Sequence, residues 1–202
     1  MAINHPGSKL RQYSRKAIVT PRPERRKHML RRFWSLSVLI LALSGSAYGQ
    51  APVSRLVMSG NVKVNGSAVQ SGLSIASGDT VETSNSKAAI SWDKFGRVEL
   101  LPNSRAKFIF KNDHLDVALE AGAIRVSAAA AAPVTVKVKD AQINGSEAEA
   151  TSFLVDTSCG DVYVNVKKGL AGLYRPGEMS SITPGHPTVV GTPNPGCKRS
   201  NP

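Results

Sequence analysis

Phe108-Ile-Phe110 and Leu115-Asp-Val-Ala-Leu-Glu-Ala-Gly-Ala-Ile-Arg-Val126 carry an apolar side chain at every second residue, interrupted only near Asn112-Asp-His114 and Glu120-Ala-Gly122. Residues two apart share one face of an extended chain, so Phe108/Phe110, Leu115/Val117/Leu119 and Ile124/Val126 predict three half-buried strands. The same alternation occurs at Val62/Val64, Val98/Leu100, Val134/Val136/Val138 and Val162/Val164/Val166. Between the runs stand turn signals: Asn65-Gly66, Gly78-Asp79, Phe95-Gly96, Asn144-Gly145, Cys159-Gly-Asp161 and Pro176-Gly177. Gly and Asn accept the positive φ that tight turns demand. Short strands punctuated this often predict an all-β domain, a twisted roll or a sandwich of short antiparallel strands. Five alanines, Ala128 to Ala132, are too few to hold a helix before Pro133 and read as a flexible connector between two β layers.

The chain has 202 residues and a net charge of +12, but that charge is uneven. Residues 1–32 carry ten basic side chains against the single acid Glu24, leaving sixteen basic and thirteen acidic residues, or +3, for the rest. The basic block runs into the apolar stretch Phe33 to Leu43 and then Ser44-Gly-Ser-Ala-Tyr-Gly-Gln50. Basic residues, a short apolar core and a small-x-small site describe a secretory signal peptide over residues 29–49, cut between Gly49 and Gln50. The alternative is an uncleaved single-pass anchor at residues 33–48, shorter than the roughly 20 residues a span needs. Residues 1–28 precede Met29 as a basic extension, expected to be disordered, or as an over-extended reading of the gene. Residues 184–202 hold five of the 12 prolines and read as an extended or irregular tail. Two Cys in an exported chain, Cys159 at a turn and Cys197 in the tail, are expected to pair.

Motifs ordered along the chain carry a resemblance. Gly72-Leu-Ser-Ile-Ala-Ser-Gly-Asp79 with Thr80-Val-Glu-Thr83 leads to Ser86-Lys-Ala-Ala-Ile90. Then come Gly96-Arg-Val-Glu-Leu-Leu-Pro102 with Ser104, and Leu119-Glu-Ala-Gly-Ala-Ile-Arg-Val126. This order resembles the FecR domain, the periplasmic module of iron-dicitrate-type cell-surface signalling regulators. The second half is looser: Thr151-Ser-Phe-Leu-Val155 lacks the family's preceding Gly, while Val164-Asn-Val166, Gly169 and Pro176-Gly-Glu178 match its ending. The resemblance implies a FecR-like β domain over residues 52–183. It implies neither catalysis nor a cofactor, and Gly66, Gly78, Asp79, Gly96, Pro102, Gly122 and Gly177 become residues that specify turns. The family's cytoplasmic anti-sigma region is not matched in the basic residues before the apolar stretch, so the sigma-factor role is not carried over.

Chemistry is sparse. No Gly-x-Ser-x-Gly elbow, phosphate loop or dinucleotide fingerprint occurs. His114, Asp113 and Asp116 were the residue types for a metal site, but in this spacing they read as a solvated hairpin turn, and no metal is expected. Glu147 and Glu149 would share a face as an exposed acidic strand edge. Asn65-Gly-Ser67 and Asn144-Gly-Ser146 match a glycosylation sequon and read instead as hairpin turns. Nucleic acid is disfavoured, because the +3 beyond residue 32 is spread over both signs and most of the seven aromatics after residue 49 fall in core register. The expectation is a periplasmic or secreted, non-enzymatic module that contacts another envelope protein and meets a membrane only through its signal or anchor. The alternatives are a peptidoglycan or glycan binder, or an anchored sensor related to iron-dicitrate signalling.

Overall fold

Hairpins laid alternately on two facing sheets build the fold. The computed structural model describes residues 54–93 and 95–199. In chain order the strands are β1 (Ser54–Ser59), β2 (Val62–Val64), β3 (Ser67–Ala68), β4 (Thr80–Thr83), β5 (Lys87–Trp92) and β6 (Gly96–Leu100). They continue with β7 (Arg105–Phe110), β8 (Leu115–Ala121), β9 (Ala123–Ala128), β10 (Val134–Val138) and β11 (Ala141–Gly145). The last are β12 (Thr151–Asp156), β13 (Val162–Lys168), β14 (Ala171–Arg175), β15 (Glu178–Ile182) and β16 (Thr188–Val190). Among the described residues there is no helix.

One sheet has seven strands in the order β1-β5-β6-β9-β12-β13-β16, the other nine in the order β15-β14-β11-β10-β8-β7-β4-β2-β3. After β6 the chain crosses to the second sheet, lays down β7 and β8, returns for β9, crosses again for β10 and β11, and so on to the tail. Each crossing joins sheets whose inner faces share one core, and the period-2 side chains fill it. Val98, Leu100, Phe108, Leu115, Val117, Ile124, Val126, Val136, Phe153 and Val164 are all buried in that cluster. Burying a side chain of this kind stabilises by roughly 1.5–3 kcal/mol. Both faces come from residues 56–190, so this unit carries its own core.

Several expectations need correction. The sheets are not wholly antiparallel: β8 and β10 run parallel, because β9 leaves for the other sheet and β10 re-enters in the direction of β8. Asn144-Gly145 is no hairpin turn. It lies inside β11, paired with β10 and β14, while Lys139 with φ +50 and Asp140 make the turn. Gly145 is there for space: a Cβ would stand 2.8 Å from Thr151 Oγ1. Gly96 likewise begins β6 with no positive φ, and a Cβ there would meet the Ser127 carbonyl oxygen at 2.4 Å. The Ala128–Ala132 connector does link the two layers, but it is pinned. Ala129 N–H donates to Phe95 O (2.8 Å), Ala131 N–H to Glu147 O (2.9 Å), and Ala132 is buried. Glu147 and Glu149 sit in an exposed bend, not on a strand edge. The Pro-rich tail contributes a strand, since Thr188–Val190 pairs with β13 between Pro187 and Gly191.

Two turn glycines differ in a way that can be measured. Gly66 (φ +81) has open space where a Cβ would go, whereas at Gly122 (φ +80) a Cβ would lie 2.4 Å from Ser104 Oγ and 2.5 Å from Asn103 O. Gly66→Ala is expected to lower stability by about 1–2 kcal/mol, the left-handed strain alone. Gly122→Ala adds an overlap with a hydrogen-bonded hydroxyl and is expected to cost about 3 kcal/mol or more. Urea unfolding of the two variants checks this, and equal losses would contradict it.

Candidate functional site

Gly122 leads to the first polar cluster. Thr83 at the end of β4 and Ser104 before β7 are buried, and the Ser104 hydroxyl meets the start of β9. Thr83 Oγ1 accepts the Ser104 N–H (3.0 Å) and donates to Leu101 O (2.7 Å). Ser104 Oγ accepts the Ala123 N–H (2.8 Å) and donates to Ala123 O (2.9 Å). Backbone groups left unpaired by the crossing between sheets are thus satisfied by side chains, as burial requires. Asp79 does the same at another turn: its carboxylate accepts the Ala76 N–H and the Asn65 side-chain amide, both at 2.8 Å. These clusters make geometry, not chemistry.

The second cluster corrects the solvated-turn reading of His114. Its Nε2 stands 2.6 Å from Asp116 Oδ1, and Lys111 Nζ stands 3.0 Å from Asp116 Oδ2. Asp116 is nearly buried on β8, while Asp113 is exposed and takes no part. Burial pushes the Asp116 carboxyl up, but hydrogen bonds from His114 and Lys111, with their charges, outweigh it and hold the group below its ordinary value. One acid, one imidazole and one ammonium, with no nucleophile among them, form a local ion cluster. Among the described residues no three His, Cys, Asp or Glu side chains are placed to hold a metal.

The third feature fastens the tail. Cys159 and Cys197, 38 residues apart, are joined by a disulfide. Arg199 forms an ion pair with the fully buried Asp161, and its guanidinium lies 4.7 Å from the centre of the Tyr163 ring. Asn194 N–H donates to Cys159 O (2.7 Å). Tyr163 also covers a small apolar cluster of Leu101, Ala123 and Leu154 on the outer face of the seven-stranded sheet. A carboxylate buried like Asp161 is tolerated only with its partner in place.

The fourth feature is an edge. Of the four sheet edges, β3 has two residues, and β16 has three and is clamped. Along β1, Leu56 N–H donates to Leu73 O and Leu56 O accepts the Gly72 N–H, each at 2.8 Å. β15 has five residues and no backbone partner on its outer side among the described residues. Its Met179 is 72% exposed and pairs across the hairpin with exposed Tyr174, beside the Arg175–Glu178 ion pair.

The sequence-based candidates scatter over this frame. Gly66, Gly78, Gly122 and Gly177 take positive φ at turns, and Pro102 begins the turn that ends at Ser104. Gly49 and Gln50 lie outside the described residues. The Asp161–Arg199 pair and the β15 edge were not anticipated, since neither has a local signal. Thr83 and Ser104 stood inside quoted motifs, but nothing in their spacing said that they meet.

Comparison with known proteins places these motifs. Residues 79–172 match the family model described as FecR protein. No curated protein matches the chain. Two crystal structures of a "putative anti-sigma factor" from Parabacteroides distasonis ATCC 8503 are similar, at 16% identity with a TM-score of 0.49 and at 12% identity with a TM-score of 0.38. The alignments cover 59% and 72% of this chain, and the chain spans 57% of the length of each.

The tail clamp yields a measurement. Thiol titration of the unreduced, unfolded protein is expected to find no free thiol, and two would contradict the bridge. Replacing Cys159 and Cys197 together by Ser is expected to lower unfolding stability by about 3–4 kcal/mol, from the entropy of the opened loop.

Proposed function

We propose that the FecR domain carried at residues 79–172 serves a non-catalytic module of the cell envelope, exported by residues 29–49, that binds a protein partner along β15. The observation that carries this reading is the unpaired outer edge of β15. Pro176-Gly177 is a two-residue hairpin loop, so Arg175 and Glu178 exchange both ladder bonds, and the pairs then alternate. Met179 and Ser181 therefore turn their N–H and C=O groups away from β14. An extended segment added there would gain main-chain bonds, with Met179 and Tyr174 supplying apolar contact. Edges of this kind are usually blunted, so one left open at this length suits a partner strand. The FecR match supports a role in signalling regulation.

The test uses Ser181→Pro, which removes an outward N–H and no internal ladder bond. Residues 49–202 immobilised against envelope extract are expected to retain one protein reproducibly, and the Ser181→Pro form to lose it with its unfolding midpoint unchanged. Retention unaffected by Ser181→Pro, or recovery of cell-wall polymer without protein, would contradict the reading.

A further inference from the structure

The outer face of the seven-stranded sheet carries a row that neither core nor partner edge explains. Register places Arg55 opposite Ser91, Ser91 opposite Arg97, Arg97 opposite Ser127, Ser127 opposite Ser152 and Ser152 opposite Lys168. These six side chains, one from each of β1, β5, β6, β9, β12 and β13, form a single file across the strands. At strand spacings of about 4.8 Å the file is roughly 24 Å long. Arg55, Arg97, Ser127 and Lys168 are exposed, and Ser91 and Ser152 are half-buried.

No acid lies in the file, and among the described residues none of Arg55, Arg97 or Lys168 makes an ion pair. In the neighbouring row the one acid, Glu99, is neutralised by Arg125 at 3.0 Å. The opposite face of the molecule is different: there Lys63, Glu82, Arg105 and Glu120 alternate in sign, with Arg105 bonded to Glu120 at 2.7 Å. That face also carries, in another row, the exposed Lys107 and Lys137, which make no ion pair among the described residues, so what marks the file is a third such cation and the hydroxyls set between them. Two and three strands apart, these exposed cations repel one another little through salt, and their spacing leaves each free to meet a separate anionic group on an extended ligand.

We infer that this file is a binding site for a linear anionic polysaccharide bearing carboxylate or phosphate groups. Cations meet the charges, while Ser91, Ser127 and Ser152 offer hydroxyls between them; Ser127 Oγ and Ser152 Oγ are 3.2 Å apart and hold lone pairs free for sugar hydroxyls. One residue in width, the file fits an extended chain better than a bilayer, since Val57, Leu170 and Val189 are the scattered exposed apolar residues near it. It contains no aromatic ring on which bases would stack, which sets it apart from a single-stranded nucleic acid groove.

The test uses residues 49–202, which carry their own core, because residues 1–32 with their +9 would bind any polyanion. Polygalacturonate oligomers are the probe and neutral dextran the control, in titration calorimetry. Binding to polygalacturonate and not dextran is expected, weakening about twentyfold between 50 mM and 200 mM salt, as three neutralised charges releasing about 0.7 counterion each imply. The double variant R55E/R97E is expected to weaken it by at least about tenfold, while K107E/K137E, an equal charge change on the other face, leaves it within twofold, both retaining the wild-type melting temperature. No binding, equal loss in both variants, or binding to phosphatidylglycerol vesicles or oligodeoxythymidine with polygalacturonate silent would overturn the assignment.

Discussion

Wherever a chain steps from one sheet to another, it leaves backbone groups that neither ladder can pair, and those groups are buried if the sheets share a core. In this fold the step from β6 to β7 is met by two hydroxyls. Thr83 and Ser104 bond to each other's backbone and to Leu101 and Ala123, so that β4 and β7 of one sheet are tied to β6 and β9 of the other. Gly122 must lack a side chain because Ser104 occupies the space that a Cβ would take. The three positions therefore depend on one another. An apolar residue at Ser104 would leave the Ala123 amide unpaired in a dry site, at a cost of about 1–3 kcal/mol.

From that tie the rest of the architecture follows. Hairpins are deposited on alternate sheets, which makes β8 and β10 parallel neighbours and leaves four strand ends at the margins. Three of those margins are short, covered or fastened, and the fastening of β16 uses a disulfide, a buried ion pair and an aromatic ring at once. The fourth, β15, stays open. The outer faces are then free to differ, one with Glu82 and Glu120 set among its cations and the other with Arg55, Arg97 and Lys168 in file. Binding surface, on this account, is what remains after the core and the crossings have been satisfied.

Much of this is legible in the sequence. Val62, Val98, Phe108, Val117, Ile124, Val136 and Val164 all point inward as alternation predicts, because one buried face imposes period 2 whatever the partner strand. Asp79 caps its own turn, a contact three residues long that sequence spacing can show. What failed were inferences about chain reversal. Asn144-Gly145 has the same hairpin signal as Asn65-Gly66, yet it runs straight, with Thr151 and Phe153 pressing against Gly145 from the neighbouring sheet. Lys139-Asp140, with no glycine, turns instead. Asp161 and Arg199 lie too far apart in sequence for any local pattern to join them. Proline content concealed β16, since three residues between Pro187 and Gly191 suffice for an edge strand.

The central claim is that the Thr83–Ser104–Gly122 node couples the two sheets, so that these motifs are structural. Amide hydrogen exchange on Ser104→Ala against wild type tests it most directly. The account predicts that protection falls together in β4 and β7 of the nine-stranded sheet and in β6 and β9 of the seven-stranded one. A loss confined to the Ala123 amide, with both sheets as protected as before, would contradict it.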